Sequence, residues 1–554
     1  MRRPLILFVI LCVFSLQAQE AIYHGGRIKP MDTFARDALS IMAGKTSLQG
    51  ISAKEWIFSM VNHPENTDTV PFFKVNRADV AELLHLNSRE RYHSFVDFRT
   101  TRSLLQQYAE RTDTHSVTLE MIRLDEALSL YESLRSAKDY ERPLFEFQDS
   151  SRLQFLGVDT GKKIFSAIEL QRALNELDLA PKSPQMQFFE DSLRMEFYKR
   201  SNQDLWNVFR DPQGDSTVLV SAWAYIISSE KKIPDSTELP YALQKKLRYE
   251  VVYHRVNLPW WGLIFTGIAT ILSLLGFAFS RKPLWVGAVI SLALSGVCLS
   301  FSLIWRSLIS ERPPLGNLYE VLLCVLTLLI FALCFSFVRW KVRWLFFLGS
   351  VLVFAGLFFG QNSLVGGDTF KMLPVLLQSS FWLSIHVLTI ALGYCSMILA
   401  GLCGHAVLIA YGARSRSKVL FSLEKILYGS LAFGALFTFL GTIFGGFWAD
   451  VAWGRFWGWD PKENGALLVI LWSMIAFHLR SGRLLSSIGF ATLVASGLIL
   501  IAFCWFGINL LGVGLHSYGF QGGMAIALFS FVSFDAILIG ILAGVAYRRA
   551  AKNN

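Results

Sequence analysis

The sequence predicts an all-α polytopic membrane protein: about nine transmembrane helices, preceded by a signal peptide or anchor and a mainly helical exterior domain. Three observations lead there. The 554 residues are 53% hydrophobic and 17% charged, against roughly 25% charged in ordinary globular proteins, and the mean hydropathy is +0.42. Charge is divided unevenly, with 31 Lys/Arg against 34 Asp/Glu in residues 19–257 and 19 against 8 in residues 258–554. The third observation is a series of apolar runs near 259–280, 284–305, 318–338, 344–360, 381–411, 428–447, 465–480, 486–507 and 523–547, most of them close to the ~20 residues that cross a bilayer. Disorder, fibrous structure and a single soluble enzyme core are excluded. So is nucleic-acid binding as the meaning of pI 9.2, because the basic excess flanks membrane segments.

In chain order, residues 1–18 come first. Met1-Arg2-Arg3, an apolar run from Leu5 to Leu16 and the small residue Ala18 make a signal peptide, with an uncleaved anchor as the alternative. Cys12 lacks the small residues that a lipoprotein site needs before it. Residues 19–257 form the exterior domain, which contains no cysteine and so no disulfide framework. It reads as mainly helical. From Val117 to Lys138, the residues Leu119, Ile122, Leu124, Leu128, Leu130 and Leu134 fall largely along one stripe. His24, His63, His85, His93 and His115 show no metal spacing.

Residues 258–554 hold the spans. With residue 258 outside, the inner loops carry 14 Lys/Arg and the outer loops 5, so the positive-inside bias agrees with an exported leader. The expected setting is a bacterial inner (plasma) membrane, the exterior domain periplasmic and the C-terminus cytoplasmic. All seven cysteines lie in apolar segments and none forms Cys-x-x-Cys; dithiol redox chemistry and a c-type haem of the chain's own are excluded.

Between the sixth and seventh runs lies GGFWADVAWGRFWGWDPKENGALLVILW, residues 445–472. Trp448, Trp453, Trp457 and Trp459 fall within twelve residues, interleaved with Gly454 and Gly458 and followed by Asp460-Pro461-Lys462-Glu463. An interfacial aromatic belt needs only a Trp or two per helix end. Indole faces beside glycines, which let a backbone approach closely, make instead a surface for a large planar ligand. Arg455, Lys462 or Asn464 would meet its carboxylate edges. His386 and His516 both fall at the exterior level, beside this loop, and neutral imidazole is the usual axial ligand for haem iron. His478 lies 15 residues beyond Glu463, about 22 Å deeper at 1.5 Å per residue. It is therefore either a snorkelling partner of Arg480 or a ligand of a separate site within the membrane. Asp535, alone in the ninth run, reads as a polar helix contact or as part of a haem or proton path.

The segment WGRFWGWDPKE resembles the tryptophan-rich signature of the haem-handling proteins of cytochrome c maturation. PPLGNLYE at 313–320, FWLSIHV at 381–387, GLHSYGF at 514–520 and AFHLR at 476–480 are similar to the CcsA (ResC) branch of System II, and the likeness covers about residues 259–547. The resemblance implies that haem b passes a bis-histidine site within the membrane to the exterior platform. There His386 and His516 match the axial ligands and His478 the membrane ligand. It implies thioether attachment to the Cys-x-x-Cys-His motif of apocytochrome c, kept reduced by a thioredoxin-like thiol reductant. It also implies a ResB (CcsB)-like membrane subunit that supplies the second membrane histidine, with His405 as an in-chain alternative. Trp448, Trp453, Trp457, Trp459, Asp460, Arg455 and Lys462 are the expected haem-binding residues, and no residue is expected to be catalytic in its own right. Two rival functions stay open at this point: a haem delivery or storage subunit serving another catalyst, and a helical transporter with an aromatic belt.

Overall fold

A computed structural model describes residues 21–24, 27–109, 116–135, 143–146, 164–166, 241–364, 369–370, 373, 379–508 and 524–551. Two compact units divide the chain, one made of residues 1–252 with 366–372 and the other of residues 253–365 with 373–554.

In the first unit, helices Met31–Ala43, Ala53–Asn62 and Ser116–Arg135 enclose an apolar core. The last of these buries Met121, Leu124, Ala127, Leu128, Tyr131 and Leu134, a stripe at helical spacing. Ile122 and Leu130, expected on it, lie only partly buried beside it. Leu119 lies outside the residues whose side chains are described. Phe72 stacks on Phe73 at 4.4 Å, and Tyr131 meets Phe73 edge-on at 5.4 Å. The Tyr131 hydroxyl donates to Asp68 at 2.9 Å, and Arg135 Nε donates to the same oxygen at 3.0 Å. Burial pushes the Tyr131 phenol up from its ordinary value. The unit's described residues also include four two-stranded antiparallel ladders, which the helical reading passed over. Ala21–His24 pairs with Arg27–Pro30, His24 opposite Arg27.

The second unit is helical, and the protein is a multi-span membrane protein. Nine helices among the described residues are long and apolar enough to cross a membrane: Gln244–Phe279, Lys282–Ser310, Leu318–Trp340, Arg343–Leu364, Ser380–Gly412, Ser417–Trp453, Pro461–Ser481, Ser487–Gly507 and Ala525–Ala551. They are called here the first to ninth spans. The fifth is the hub, packing on the third, fourth, sixth, eighth and ninth. Its small residues permit this, because lipid offers no hydrophobic drive and close backbone approach must supply the contact. A Cβ on Gly393 would fall 2.8 Å from the Thr438 backbone nitrogen, and one on Gly404 would fall 2.7 Å from the Ala491 carbonyl oxygen.

The PPLGNLYE segment forms the joint between the second and third spans. Asn317 caps the third span, its Oδ1 accepting from Glu320 N at 2.9 Å. The Glu320 carboxylate then accepts Arg306 Nη2, Arg312 Nη1 and Gly316 N, each at 2.8 Å. Arg306 and Glu320 are both fully buried. Breaking a buried ion pair by removing one partner costs about 3–5 kcal/mol. Glu320→Ala, which leaves two guanidinium groups without their carboxylate, is expected to lower the thermal midpoint of the purified protein markedly; an unchanged midpoint would refute a structural role for this cluster.

Candidate functional site

The sixth span runs unbroken to Trp453 and stops at Gly454 (φ 68), whose N–H returns to the Asp450 carbonyl at 2.9 Å. The chain turns back through Arg455–Trp459, with Trp459 itself in the left-handed region at φ 57. Asp460 then starts the seventh span. Its Oδ1 accepts from Lys462 N at 2.9 Å, Pro461 occupies the first turn, and Glu463 accepts from Asp460 N at 3.1 Å. This reciprocal arrangement is a capping box with proline at the first helical position. Glu463 also accepts from Gly458 N at 2.8 Å and Arg455 Nη1 at 3.2 Å, while Asn464 Nδ2 donates to the Trp459 carbonyl at 2.9 Å. The polar half of the tryptophan-rich segment thus folds its own loop.

His386 sits in a π-helical turn, Leu383–Val387, at the start of the fifth span. Its Nδ1 lies 2.8 Å from the Gly441 carbonyl oxygen on the sixth span. A carbonyl only accepts, so Nδ1 carries the proton and Nε2 is the lone-pair nitrogen. Glycines make room for the ring: a Cβ on Gly445 would fall 2.5 Å from His386 Cε1, and one on Gly446 would fall 2.6 Å from Phe456 Cζ. The Trp448 ring stands 5.9 Å from the imidazole, tilted 64° to it.

Around His386 opens a partly open cleft of about 110 Å³, smaller than the ~300–1,000 Å³ of typical small-molecule and cofactor sites. Its walls include Tyr394, Thr442, Phe456, Trp457 and Trp505, with Lys462 and Glu463 among the polar groups. The expected tryptophans do not form one flat surface. Trp457 lines the cleft and Trp448 flanks His386. Trp453 lies under the Arg455 guanidinium at 5.8 Å, and Trp459 is 69% exposed with its ring edge-on to Trp457. Of the polar residues expected to bind haem, Arg455 pairs with Glu463, Asp460 serves as a cap, and Lys462 Nζ donates to the Trp505 carbonyl at 2.9 Å. Trp505 and Tyr394, whose rings are 5.8 Å apart, escaped the sequence reading because each sits alone in an apolar run. The capping box had a readable signal in the Asp-x-x-Glu spacing.

His516 lies outside the described residues. His478 lies on the same unbroken helix as Glu463, so the rise of about 22 Å between them holds. It is exposed on the seventh span, its Nδ1 2.7 Å from the Met474 carbonyl oxygen. His405, the in-chain alternative, is buried with Nε2 3.2 Å from Asp535 Oδ1. No group of three or more His, Cys, Asp or Glu is placed to hold a metal ion among the described residues.

Comparison with known proteins converges on one family. Residues 315–516 match the family described as cytochrome C assembly protein. The chain is 30% identical to the cytochrome c biogenesis protein CcsA of Gossypium hirsutum over 268 residues, covering 40% of this chain and 82% of that protein. It is likewise 30% identical to CcsA of Chlamydomonas reinhardtii over 249 residues, 42% of this chain and 68% of that protein. A longer relative, protein NrfI of Wolinella succinogenes, is 26% identical over 533 residues, which cover 89% of this chain; the chain spans about half of it, 53%. Residues 258–554 are too few to supply 89% of the chain, so that likeness extends well into residues 19–257. The cleft beside His386 and the self-capped tryptophan-rich loop both lie within the matched residues 315–516, and the chain belongs to the cytochrome c assembly protein family as a CcsA-type cytochrome c biogenesis protein.

Proposed function

We propose that the chain handles haem for cytochrome c maturation. It holds haem b at the exterior cleft between His386 and His516, supports thioether attachment to Cys-x-x-Cys-His of apocytochrome c, and takes part in passing haem across the membrane. The observation that carries the reading is the His386 imidazole in an aromatic cleft with Nδ1 committed to the Gly441 carbonyl at 2.8 Å. Metal-binding histidines characteristically donate their other ring N–H to a carbonyl or carboxylate, which fixes the tautomer and leaves the second nitrogen as the ligand. Phe456, Trp457, Trp505 and Tyr394 supply ring faces suited to a macrocycle.

Haem, when bound, supplies the vinyl carbons to which the substrate's thiols add. The chain's part is to position and to shield. The cap at Asp460 and the Lys462 link to Trp505 hold the tryptophan-rich loop and the eighth span together. Correct placement of reacting groups can account for several kcal/mol of a barrier. His386 and His516 as paired ligands would leave the iron no open position. A thioredoxin-like reductant keeps the substrate thiols reduced.

The exposed His478 supports a second, membrane-level site completed by a histidine of a ResB (CcsB)-like subunit, because a histidine facing outward within a bilayer is costly unless it meets a partner. We further propose a bacterial inner-membrane setting, with residues 1–18 a signal peptide or anchor, residues 19–257 a periplasmic domain that docks apocytochrome or the partner, and residues 258–554 a haem-handling domain with a cytoplasmic C-terminus.

His386→Ala is expected to cut formation of covalent haem by more than tenfold in cells co-expressing a ResB-like partner and a Cys-x-x-Cys-His substrate, with partial rescue by added imidazole. Retention of the wild-type haem spectrum in that variant would sink the assignment. Gly445→Val, whose side chain would occupy the space of the imidazole ring, is expected to alter the haem spectrum while leaving the protein folded. His478→Ala is expected to lower haem occupancy at the exterior site without changing its ligation spectrum; normal loading would remove His478 from the route.

A further inference from the structure

A second cavity, of about 390 Å³, lies among the fifth, sixth, seventh and eighth spans, a volume within the ~300–1,000 Å³ of typical small-molecule sites. The cleft beside His386 reaches the start of the seventh span at Lys462, whereas this cavity reaches its end at Arg480. Those residues are 18 apart on one unbroken helix, a rise of about 27 Å. The two sites share no lining residue. No histidine, cysteine or methionine lines the second cavity, so it lacks the side chains that most often hold haem iron.

Its charged lining is Lys425, Arg480 and Glu424. Glu424 accepts from the Tyr411 hydroxyl at 3.3 Å. Arg480 makes two long bonds, Nη1 to the Leu485 carbonyl at 3.4 Å and Nη2 to Ser487 Oγ at 3.3 Å. Lys425 is exposed, its ammonium over the Phe421 ring at 4.4 Å. Neither cation has a carboxylate partner among the described residues, and a guanidinium with five N–H donors and an ammonium with three keep capacity for an anion. The surroundings are basic as well. Residues 411–430 and 476–495 hold Arg414, Arg416, Lys418, Lys425, Arg480 and Arg483 against Glu424 alone, with His478 among them. The ninth span, packed on the fifth and eighth, ends with Arg548 and Arg549, and its Asp535 faces His405 at 3.2 Å.

Depth fits a headgroup. Arg480 is next to last in the seventh span and Ser487 is first in the eighth, the level at which a bilayer's polar layer begins. From Lys425 the sixth span runs 28 residues further to Trp453, about 42 Å, which exceeds the ~30 Å hydrocarbon core and is long enough to place Lys425 at that level too. Phe421, Lys425, Tyr428, Leu436 and Phe439 are all exposed, and their spacings of 4, 3, 8 and 3 residues keep them on one helix face. An apolar track therefore leads from the cations along the sixth span.

We propose that this cavity binds one anionic phospholipid, its phosphate between Lys425 and Arg480 and its acyl chains along the exposed face of the sixth span. Two cations against one carboxylate leave a formal net charge of +1, which a phosphodiester carrying one negative charge balances. Basic pockets between spans hold anionic lipid headgroups in this way. A soluble phosphate ester shares the head chemistry but gains nothing from the apolar track. Bound here, the lipid ties the end of the seventh span to the sixth and eighth. The inference is independent of the haem reading.

The test counts bound lipid by native mass spectrometry on the full-length protein, purified in detergent and supplied with phosphatidylglycerol. The wild type is expected to retain one such lipid after the others are stripped. Its thermal midpoint is expected to rise with phosphatidylglycerol and not with phosphatidylcholine. Lys425→Gln is expected to weaken retention about fivefold, and Lys425→Gln with Arg480→Gln more than tenfold. Arg281→Gln with Lys282→Gln removes as much charge from the loop between the first and second spans, which lies on the same membrane side, and is expected to leave the retained lipid in place. Equal loss in that control would reduce the effect to diffuse surface charge and overturn the proposal, as would unchanged retention in Lys425→Gln. Equal protection by glycerol phosphate would assign the cavity to a soluble anion, and loss of bound haem instead of lipid from the double variant would assign it to the macrocycle; either result also overturns the proposal. Should the double variant fail to fold, Lys425→Gln, a change at an exposed side chain, decides alone.

Discussion

The hydrogen bond from His386 to the Gly441 carbonyl, 2.8 Å long, is the constraint on which the candidate site rests. It joins the fifth and sixth spans, selects one tautomer of the ring and needs a sixth span stripped of side chains along that face. Any side chain at Gly445 would occupy the ring's place, and one at Gly441 would meet Ile390 at 2.7 Å. The glycines that look like mere small residues in a membrane helix are therefore the mould of the site. Their spacing of four residues puts both on one helix face.

The tryptophan-rich segment divides its labour differently from its composition. Its indoles are spread among the cleft, the flank of His386, a cation–π cover and the exposed rim. Its charged residues tie the loop to itself and to Trp505. A left-handed Trp459 (φ 57), uncommon for a bulky residue, is held by the Asn464 bond to its carbonyl and by the cap that follows. PPLGNLYE works in the same manner, its carboxylate gathering two arginines and a backbone N–H. Two of the most distinctive segments are thus joints between spans, built from polar groups that the low-dielectric surroundings make strong.

Much of the architecture was legible. Nine apolar runs were expected and nine spans were found among the described residues, with similar bounds, because bilayer thickness imposes a length that composition alone reveals. His386 was singled out as a lone imidazole near the start of a span, while the cleft around it was not, since Tyr394 and Trp505 come from separate runs that only packing unites. Asp535 and His405 were singled out as polar residues in apolar helices, yet nothing in a single chain says that positions 130 residues apart will meet at 3.2 Å. The short ladders of the first unit were lost to a helical reading because strands of two to four residues carry too little periodicity to register.

The wide turn at Leu383–Val387 has a geometric result of its own. A π-turn accommodates one surplus residue without breaking the helix, and each residue of an α-helix advances about 100° around its axis. The N-terminal end of the fifth span is therefore out of phase with the rest by about that angle. The rest of the span can orient Gly393 and Gly404 toward neighbouring helices, while its N-terminal end aims its imidazole by a separate rule. A second such turn at Phe503–Gly507 gives the eighth span the same freedom at Trp505, so the sides of the cavity that carry His386 and Trp505 are decoupled in azimuth from their helices.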